Sequence, residues 1–227
     1  MKQHLLPRIQ ELLRREATAL LEKFDPGTTS SDMTPHAVPV VDNDACNSLF
    51  FKKDRIYHHK LSRFYFTTYD VRRGADIINP GTCRCNIMLL ADDTDTSDIS
   101  ANFHPFLYAR VLGVYHANVV YTGPGMQDFE ARRLDFLWVR WYELEDPASS
   151  GWSKSRLDSL RFRPMKEDDA FGFVDPADIL RGCHIMPNFE KGRGDVKGRR
   201  HVNGVGISRC AKDGKDYFSY YIGRYVG

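Results

Sequence analysis

Positive side chains in this chain are concentrated in two segments whose composition suits contact with phosphate groups. The glycine-rich stretch "EKGRGDVKGRRHVNG" sets five fixed positive charges, on Lys191, Arg193, Lys197, Arg199 and Arg200, against two acids. The segment "FKKDRIYHHKLSR" mixes aromatic and basic residues, the latter being Lys52, Lys53, Arg55, Lys60 and Arg63. Attraction to phosphate requires little more than such a patch. Both segments are therefore predicted to bind nucleic acid, although each could also be a solvated face of the protein.

A third basic pair, Arg132-Arg133, opens the most aromatic stretch of the chain, "RRLDFLWVRWYELED". In a strand, successive side chains alternate between faces. One face would carry Leu134, Phe136, Trp138, Arg140 and Tyr142, and the other Asp135, Leu137, Val139, Trp141 and Glu143. Because neither face is polar throughout, the stretch is predicted to be a central strand covered on both sides.

Most of these rings are expected to lie in the core, with the Arg140 guanidinium extending past a ring or stacking on one. The alternative is an aromatic pocket for a cationic ligand such as a histone tail. It would be formed by the exposed members of the set Tyr69, Trp138, Trp141 and Tyr142. Arg132 and Arg133 would lie beside such a groove and are included in the predicted nucleic-acid-binding set.

Cysteine and histidine occur at spacings that only weakly indicate a metal site. Cys83 and Cys85 form a C-x-C pair and Cys183 precedes His184, whereas structural zinc sites usually show C-x2-4-C knuckles. A fold could still join Cys83 and Cys85 to His104, or Cys183 and His184 to Cys210. Free buried thiols are favoured because cysteine is among the most buried residue types. We predict no metal and no cofactor.

The sequence contains no G-x-S-x-G elbow, Walker loop or dinucleotide fingerprint. Metal-dependent phosphodiester cleavage would need carboxylates that converge on a cation. The acids in strand-rich segments that could converge are Asp70, Asp76, Asp135, Glu143 and Asp175. Their spacing specifies nothing, so no catalytic residue is predicted, and a metal-dependent nuclease remains an alternative.

The composition is typical of a globular protein. Hydrophobic residues make up 42% of the 227 residues and aromatic residues 12%, which is ample for a core, while the net charge of +2 indicates no partner. The five cysteines are odd in number and no apolar signal core precedes them, so reduced thiols inside a cell are expected. No run of 18 apolar residues predicts a membrane span.

The segments that must position these residues divide the chain into three parts. Residues 1–25 are predicted to form an amphipathic helix, over 3–24, that either docks on the core or binds a partner protein. Residues 26–47, rich in Pro, Ser, Thr and Asp, are predicted to be a linker. Residues 48–227 show short strands separated by turn signals. The pattern favours a mainly β fold, in the form of a sandwich or barrel with the helix outside.

Three segments resemble a bromo-adjacent homology (BAH) domain, a small bent β barrel with long loops. They are "YARVLGVYHANV", "WVRWYELED" and "FGFVDPADILRGCHIM". Longer strings, such as "ARVLGVYHANVVYTGPGM" and "DAFGFVDPADILRGCHIMP", are similar to an uncharacterised family expanded in mushroom-forming (basidiomycete) fungi and often associated with mobile elements. Members commonly continue past the last strand, so the resemblance implies that this chain is a truncated or domesticated copy.

Together these patterns predict a non-catalytic nuclear binding module that recognises chromatin or nucleic acid through its basic loops and an aromatic-lined groove. A cytoplasmic location is the alternative. Two other functions remain open, a nuclease or integrase-like remnant that uses Asp70 or Asp135, and a scaffold that binds a protein through the helix 3–24.

Overall fold

The computed structural model describes part of the chain, and the strands below belong to that part. The described residues are 5–9, 47–68, 70–91, 104–123, 126, 128–145, 157–193 and 210–223. The protein is mainly β, as predicted. Among the described residues no helix is long and apolar enough to cross a membrane. The predicted linker 26–47, apart from its last residue, lies outside the described residues, as does the predicted helix beyond residue 9.

Eleven strands are described. They are β1 (Leu49–His59), β2 (Ser62–Thr67), β3 (Arg73–Ile78), β4 (Asn86–Leu90), β5 (Phe106–Tyr121), β6 (Arg132–Leu144), β7 (Ser159–Phe162), β8 (Phe171–Val174), β9 (Ile179–Gly182), β10 (His184–Pro187) and β11 (Tyr220–Gly223). Nine of them form one sheet in the order β10-β11-β7-β6-β5-β4-β9, with β1 beside β5 and β8 beside β6. The other two, β2 and β3, form a separate antiparallel hairpin.

The predicted barrel is wrong, because this antiparallel sheet is not closed. Its order begins at β10 and ends at β9, and these two strands pair with β11 and β4 respectively, not with one another, in the described part of the chain. Cys183 alone separates β9 from β10 in the sequence. The two ends of the order are thus joined by the covalent chain and not by a ladder of backbone hydrogen bonds.

The chain divides into two compact units. The first consists of Met1–Tyr57 and His116–Asp135, and the second of His58–Tyr115 and Phe136–Gly227. The predicted boundaries at 25 and 47 stay predictions. Within the first unit, residues 5–9 are helical and bury Leu5, Leu6 and Ile9 almost completely. Burial of this stripe favours docking over partner binding for the described part of the helix.

The second unit has two hydrophobic clusters that share strands. The first cluster contains Ile87, Val111, Leu137 and Val139, and the second contains Tyr108, Tyr142 and Leu160. Strands β5 and β6 therefore contribute alternate residues to both clusters, as a strand covered on both faces does. The prediction that "RRLDFLWVRWYELED" contains a central strand is confirmed, since β6 lies between β5 on one side and β7 and β8 on the other.

Two arginines enter the second cluster and share one carboxylate. Arg110 Nη1 donates to Asp216 Oδ1 at 2.6 Å, and Arg140 Nη1 donates to Asp216 Oδ2 at 2.5 Å. Both guanidinium groups also lie over the Phe162 ring, at 4.3 and 3.9 Å from its centroid. Of the two arrangements expected for Arg140, the structure shows the guanidinium stacked on a ring. Asp216 therefore compensates buried positive charge that the strands bring into the interior.

Removing the Asp216 charge should destabilise the protein strongly. Asp216→Asn leaves Arg110 and Arg140 without this counter-charge, and breaking a buried ion pair costs about 3–5 kcal/mol. Urea unfolding followed by circular dichroism measures the loss. The matched control is Glu143→Gln, which breaks the more exposed pair with Arg161 and should cost less than about 1 kcal/mol. Equal losses in the two variants would contradict the assigned role of Asp216.

Candidate nucleic-acid interface

The hairpin β2–β3 separates its side chains cleanly into two faces. Its register pairs Arg63 with Ile77, Tyr65 with Ala75 and Thr67 with Arg73 on one face. The residues between them face the other way, and this alternation follows from the two-residue period of a strand. All six residues of the first face are exposed to solvent. We call this face, formed by Arg63, Tyr65, Thr67, Arg73, Ala75 and Ile77, the basic ribbon.

The opposite face of the hairpin packs against the rest of the second unit and so holds the basic ribbon in place. Phe64 and Ile78 belong to the first hydrophobic cluster. The Asp76 Oδ2 atom accepts hydrogen bonds from Arg181 Nε and from the backbone N–H of Gly182, each at 2.9 Å. Apolar burial and an ion pair together hold this face, so the basic ribbon is presented on a fixed scaffold.

Phe66 completes this packing through contacts on two sides. The Arg181 guanidinium lies 3.5 Å from the centroid of its ring. A Cβ atom added at Gly74, which pairs with Phe66 across the hairpin, would lie 2.4 Å from the same ring. Only glycine therefore leaves room for Phe66 to lie across β3.

The exposed face of the basic ribbon is positively charged and carries an aromatic ring. Tyr65 is 75% exposed and lies between Arg63 and Thr67 on β2, while Arg73 lies opposite Thr67. None of the six residues is acidic, and neither arginine forms an ion pair with a described residue. An open groove of about 490 Å³ runs along Tyr65, Thr67, Arg73 and neighbouring residues of the hairpin. The arrangement can contact phosphate on both sides of an exposed ring.

The turn that joins β2 to β3 neutralises its own charge. Asp70 accepts a hydrogen bond from the Thr68 hydroxyl at 2.5 Å and pairs with Arg72 at 2.9 Å. Val71 adopts a positive φ of 62° and is 81% exposed. Arg72 is thus compensated locally, which leaves Arg63 and Arg73 as the cations of the hairpin that face solvent without a described partner.

The predicted segment 52–63 is exposed, and it contributes to both units. In the first unit Lys52, Lys53 and Arg55 lie on the solvent-facing part of β1, where Lys53 and Asp54 have φ values of 60° and 51°. In the second unit Lys60 and Arg63 are exposed. All five predicted residues are therefore accessible, and Arg63 belongs to the basic ribbon.

Arg132 and Arg133 are engaged by neighbouring acids. Arg132 binds both carboxylate oxygens of Asp128, at 2.9 and 3.2 Å. Arg133 binds Asp135, with its Nη2 atom 2.7 Å from Oδ1. The nearby carboxylates offset the positive charge that predicted phosphate binding here. The acids lie within four residues of the arginines in the sequence, so these ion pairs could have been predicted from the sequence.

The predicted basic loop is described only at its beginning. Lys191 and Arg193 are exposed, and Lys197, Arg199 and Arg200 lie outside the described residues. Lys191 Nζ donates to Glu145 Oε2 at 2.7 Å, and the same oxygen accepts hydrogen bonds from the hydroxyls of Ser159 and Ser219. Partial burial opposes ionisation of Glu145, but these hydrogen bonds hold its pKa below the ordinary value. The beginning of the loop is thereby tied to β6 and β7.

Among the residues predicted to form an aromatic pocket, Tyr142 is buried in the core. Tyr142 is 4% exposed, stacks on Phe162 at 4.1 Å and donates its hydroxyl to Asn86. Trp141 is half-buried against the first cluster and Trp138 is half-buried beside Phe171. Tyr69 lies outside the described residues. Buried Tyr142 cannot form the wall of a surface cage, and Tyr65 is an exposed ring that sequence reasoning missed.

The candidate acids are engaged in ion pairs or hydrogen bonds, whereas the candidate cysteine and histidine ligands range from half-buried to exposed, with Cys83, His184 and Cys210 exposed. Among the described residues no three histidine, cysteine or acidic side chains are grouped so that they could hold a metal ion. Asp70, Asp76, Asp135 and Glu143 each pair with an arginine, and Asp175 accepts a hydrogen bond from the backbone N–H of Ala177 at the start of a 3-10 helix. Burial raises the pKa values of the Cys85 and Cys183 thiols, which disfavours the thiolate needed for metal binding or attack.

Comparison of the chain with protein-family models, with curated proteins and with solved structures finds no match. The geometry of the basic ribbon and the charges around it are therefore the basis for a functional proposal.

The Glu145 hydrogen bonds predict a specific pH dependence of stability. A carboxyl group whose folded pKa lies below its ordinary value, here 4.5, stabilises the folded state above that pH and ceases to do so as the pH falls through the folded pKa. The free energy of unfolding of the natural protein should therefore exceed that of Glu145→Gln by a constant amount from pH 6 to 8. The excess should shrink below about pH 4.5.

Urea unfolding at a series of pH values measures this difference. Lys191→Met is the matched variant, because it removes a donor to Glu145 and not the carboxylate itself. Its deficit in stability should shrink over the same acidic range. A difference that stays constant to pH 3, or grows as the pH falls, would contradict the assigned role of Glu145.

Proposed function

We propose that the protein is a non-catalytic nucleic-acid-binding module whose contacts are made by the basic ribbon. The observation that carries the proposal is the exposed face on which Arg63 and Arg73 lie on either side of Tyr65 with no acid among its six residues. Both arginines can bind phosphate oxygens, and the ring can contact a sugar or a base. We also propose that the protein is nuclear and that it is related to BAH domains.

The sign of the charge favours nucleic acid over a histone tail as the ligand. Histone tails are basic, so a ligand of that kind would be repelled by Arg63, Arg73 and the neighbouring Lys60. Elsewhere, several exposed arginines are compensated, as Arg133 is by Asp135 and Arg161 by Glu143. With a net charge of only +2 on the chain, attraction of phosphate depends on local surfaces such as the basic ribbon.

The spacing of the two arginines suits contact with separated phosphates. Arg63 and Thr67 are four residues apart on β2, and Arg73 lies opposite Thr67. At about 3.3 Å per residue the two guanidinium groups are attached roughly 13 Å apart along the hairpin. A ligand that crosses Tyr65 would then be held at two points, which fixes its direction relative to the hairpin.

Loss of the two arginines should weaken binding and its salt dependence together. Fluorescence anisotropy with a labelled duplex at 50 and 200 mM salt measures both quantities. Each phosphate contact contributes about 0.9 to the slope of log affinity against log salt concentration for a duplex. The double variant Arg63→Ala/Arg73→Ala should therefore make this negative slope shallower by about 1.8. The control Arg161→Ala removes an exposed but paired arginine and should leave the slope unchanged.

The predicted loop is tested in the same assay with Lys197, Arg199 and Arg200 replaced by alanine. A slope that becomes shallower in this variant and in the ribbon variant assigns phosphate contacts to both. Absence of binding at 50 mM salt would overturn the proposal. Magnesium-dependent cleavage of the probe, abolished by Asp70→Asn or Asp135→Asn, would replace it with the nuclease alternative.

Tyr65 should contribute to affinity without contributing to the salt slope, since its ring carries no charge. Tyr65→Ala is expected to weaken binding of a labelled single strand about five-fold or more, the lower end of the effect of a lost ring–base contact. The slope measured between 50 and 200 mM salt should equal that of the natural protein. A changed slope would indicate that the substitution disturbs Arg63 or Arg73, and unchanged affinity would show that the ring makes no contact.

A further inference from the structure

A second exposed aromatic cluster lies where the basic loop leaves the sheet of the second unit. Phe189, just after β10, is 73% exposed, and Phe218, just before β11, is 48% exposed. Tyr217 lies edge-on to Phe189 with 5.4 Å between ring centroids. The Arg193 guanidinium lies 5.5 Å from the centroid of Tyr217. We call Phe189, Tyr217, Phe218 and Arg193 the stem platform.

The backbone of the stem platform is held by a buried asparagine. Asn188 is 4% exposed, and its side-chain oxygen accepts hydrogen bonds from the backbone N–H groups of Glu190 and Lys191. Its side-chain amide donates to the Tyr221 hydroxyl at 2.9 Å, and its backbone N–H donates to Ser219 O. These bonds fix the turn that carries Phe189 to the neighbouring strand β11.

The two sides of the platform are also bonded to each other. The backbone N–H of Gly192, at a φ of 78°, donates to Phe189 O, and that of Phe218 donates to Gly192 O. Arg193 and Tyr217 form an isolated antiparallel bridge. The exposed rings are therefore displayed on a bonded frame, and ordering them on binding requires little loss of conformational freedom.

Charges around the stem platform suit an anionic ligand. Arg193 is exposed and forms no ion pair with a described residue, and Lys215 in the nearby 3-10 helix is exposed. The sequence continues from Arg193 into the basic residues Lys197, Arg199 and Arg200. Glu190, next to Phe189, is the exposed acid of the turn 188–193 and opposes an anion. Flat rings beside an arginine that forms no ion pair with a described residue suit the binding of stacked bases and their phosphates.

We propose that the stem platform binds an unpaired base of a single-stranded nucleic acid, which stacks on Phe189 while Arg193 contacts the adjoining phosphate. This inference rests on the proposed nucleic-acid-binding function and adds the ligand class. The faces of bases in a duplex are covered by their neighbours, whereas unpaired bases can unstack and lie on an aromatic side chain. A single strand therefore gains a contact at the stem platform that a duplex does not.

The test compares a labelled 12-nucleotide oligothymidylate and oligouridylate with a 12-base-pair duplex, using the full chain and fluorescence anisotropy. Phe189→Ala should lower affinity for the single strands about 5- to 100-fold, the effect of one lost base–aromatic stack, and leave duplex affinity within two-fold.

Phe189→Leu should show the same loss because it keeps apolar area but lacks a flat ring. Phe189→Trp should retain binding. Glu190→Gln should tighten binding because it removes an opposing charge.

Phe129→Ala is the matched control, since Phe129 is exposed to a similar extent, 70%, and lies in the other unit. It should leave both affinities unchanged. If Arg63→Ala/Arg73→Ala weakens binding but Phe189→Ala does not, the stem platform is overturned and the basic ribbon stands. Full single-strand affinity in Phe189→Leu also overturns stacking and indicates an apolar contact of the kind a protein partner makes. A natural protein that binds neither probe at 50 mM salt overturns both proposals.

Discussion

Strands β4, β5 and β6 must bury side chains on both faces, and the rest of the second unit is arranged to satisfy this requirement. On one face Ile87, Val111 and Val139 need a cover, which Phe64 and Ile78 of the hairpin β2–β3 help to provide. On the other face Tyr108 and Tyr142 are covered by β7, β10 and β11. The hairpin is therefore part of the core on one side, and its other side, the basic ribbon, is free to face solvent.

The same requirement explains how charge is distributed. A strand buried on both faces that carries Arg110 or Arg140 must bring a counter-charge with it, because an uncompensated buried charge is costly. Asp216 supplies this charge for both arginines. Titratable groups nearby are held neutral, since burial raises the pKa of Tyr220 to about 12 and that of Tyr142 well above its ordinary value. The interior is thus organised for stability and offers no poised acid or base among these groups.

Local patterns in the sequence predicted the strands better than their assembly. The alternation in "RRLDFLWVRWYELED" was sufficient to predict a strand covered on both faces, because burial follows the two-residue period. Closure into a barrel depends on whether β9 and β10 pair with each other, and these short strands pair instead with β4 and β11. No pattern within "ILRG" or "HIMP" encodes that choice. Tyr65 could have been predicted, because Phe64 and Phe66 on either side of it are more hydrophobic and favour the inner face.

Basic residues show why composition alone overestimates a binding surface. Arg132 and Arg133 resemble Arg72-Arg73 as sequence pairs, yet Asp128 and Asp135 engage the first pair whereas only Arg72 of the second is engaged. The difference arises because Arg73 lies within a strand whose exposed face contains no acid, while Arg72 lies in a turn with Asp70. The accessible charge of a segment is therefore set by which face each residue occupies and by which acids share that face. By this criterion Arg63 and Arg73 are accessible to a ligand, whereas Arg72, Arg132 and Arg133 are compensated.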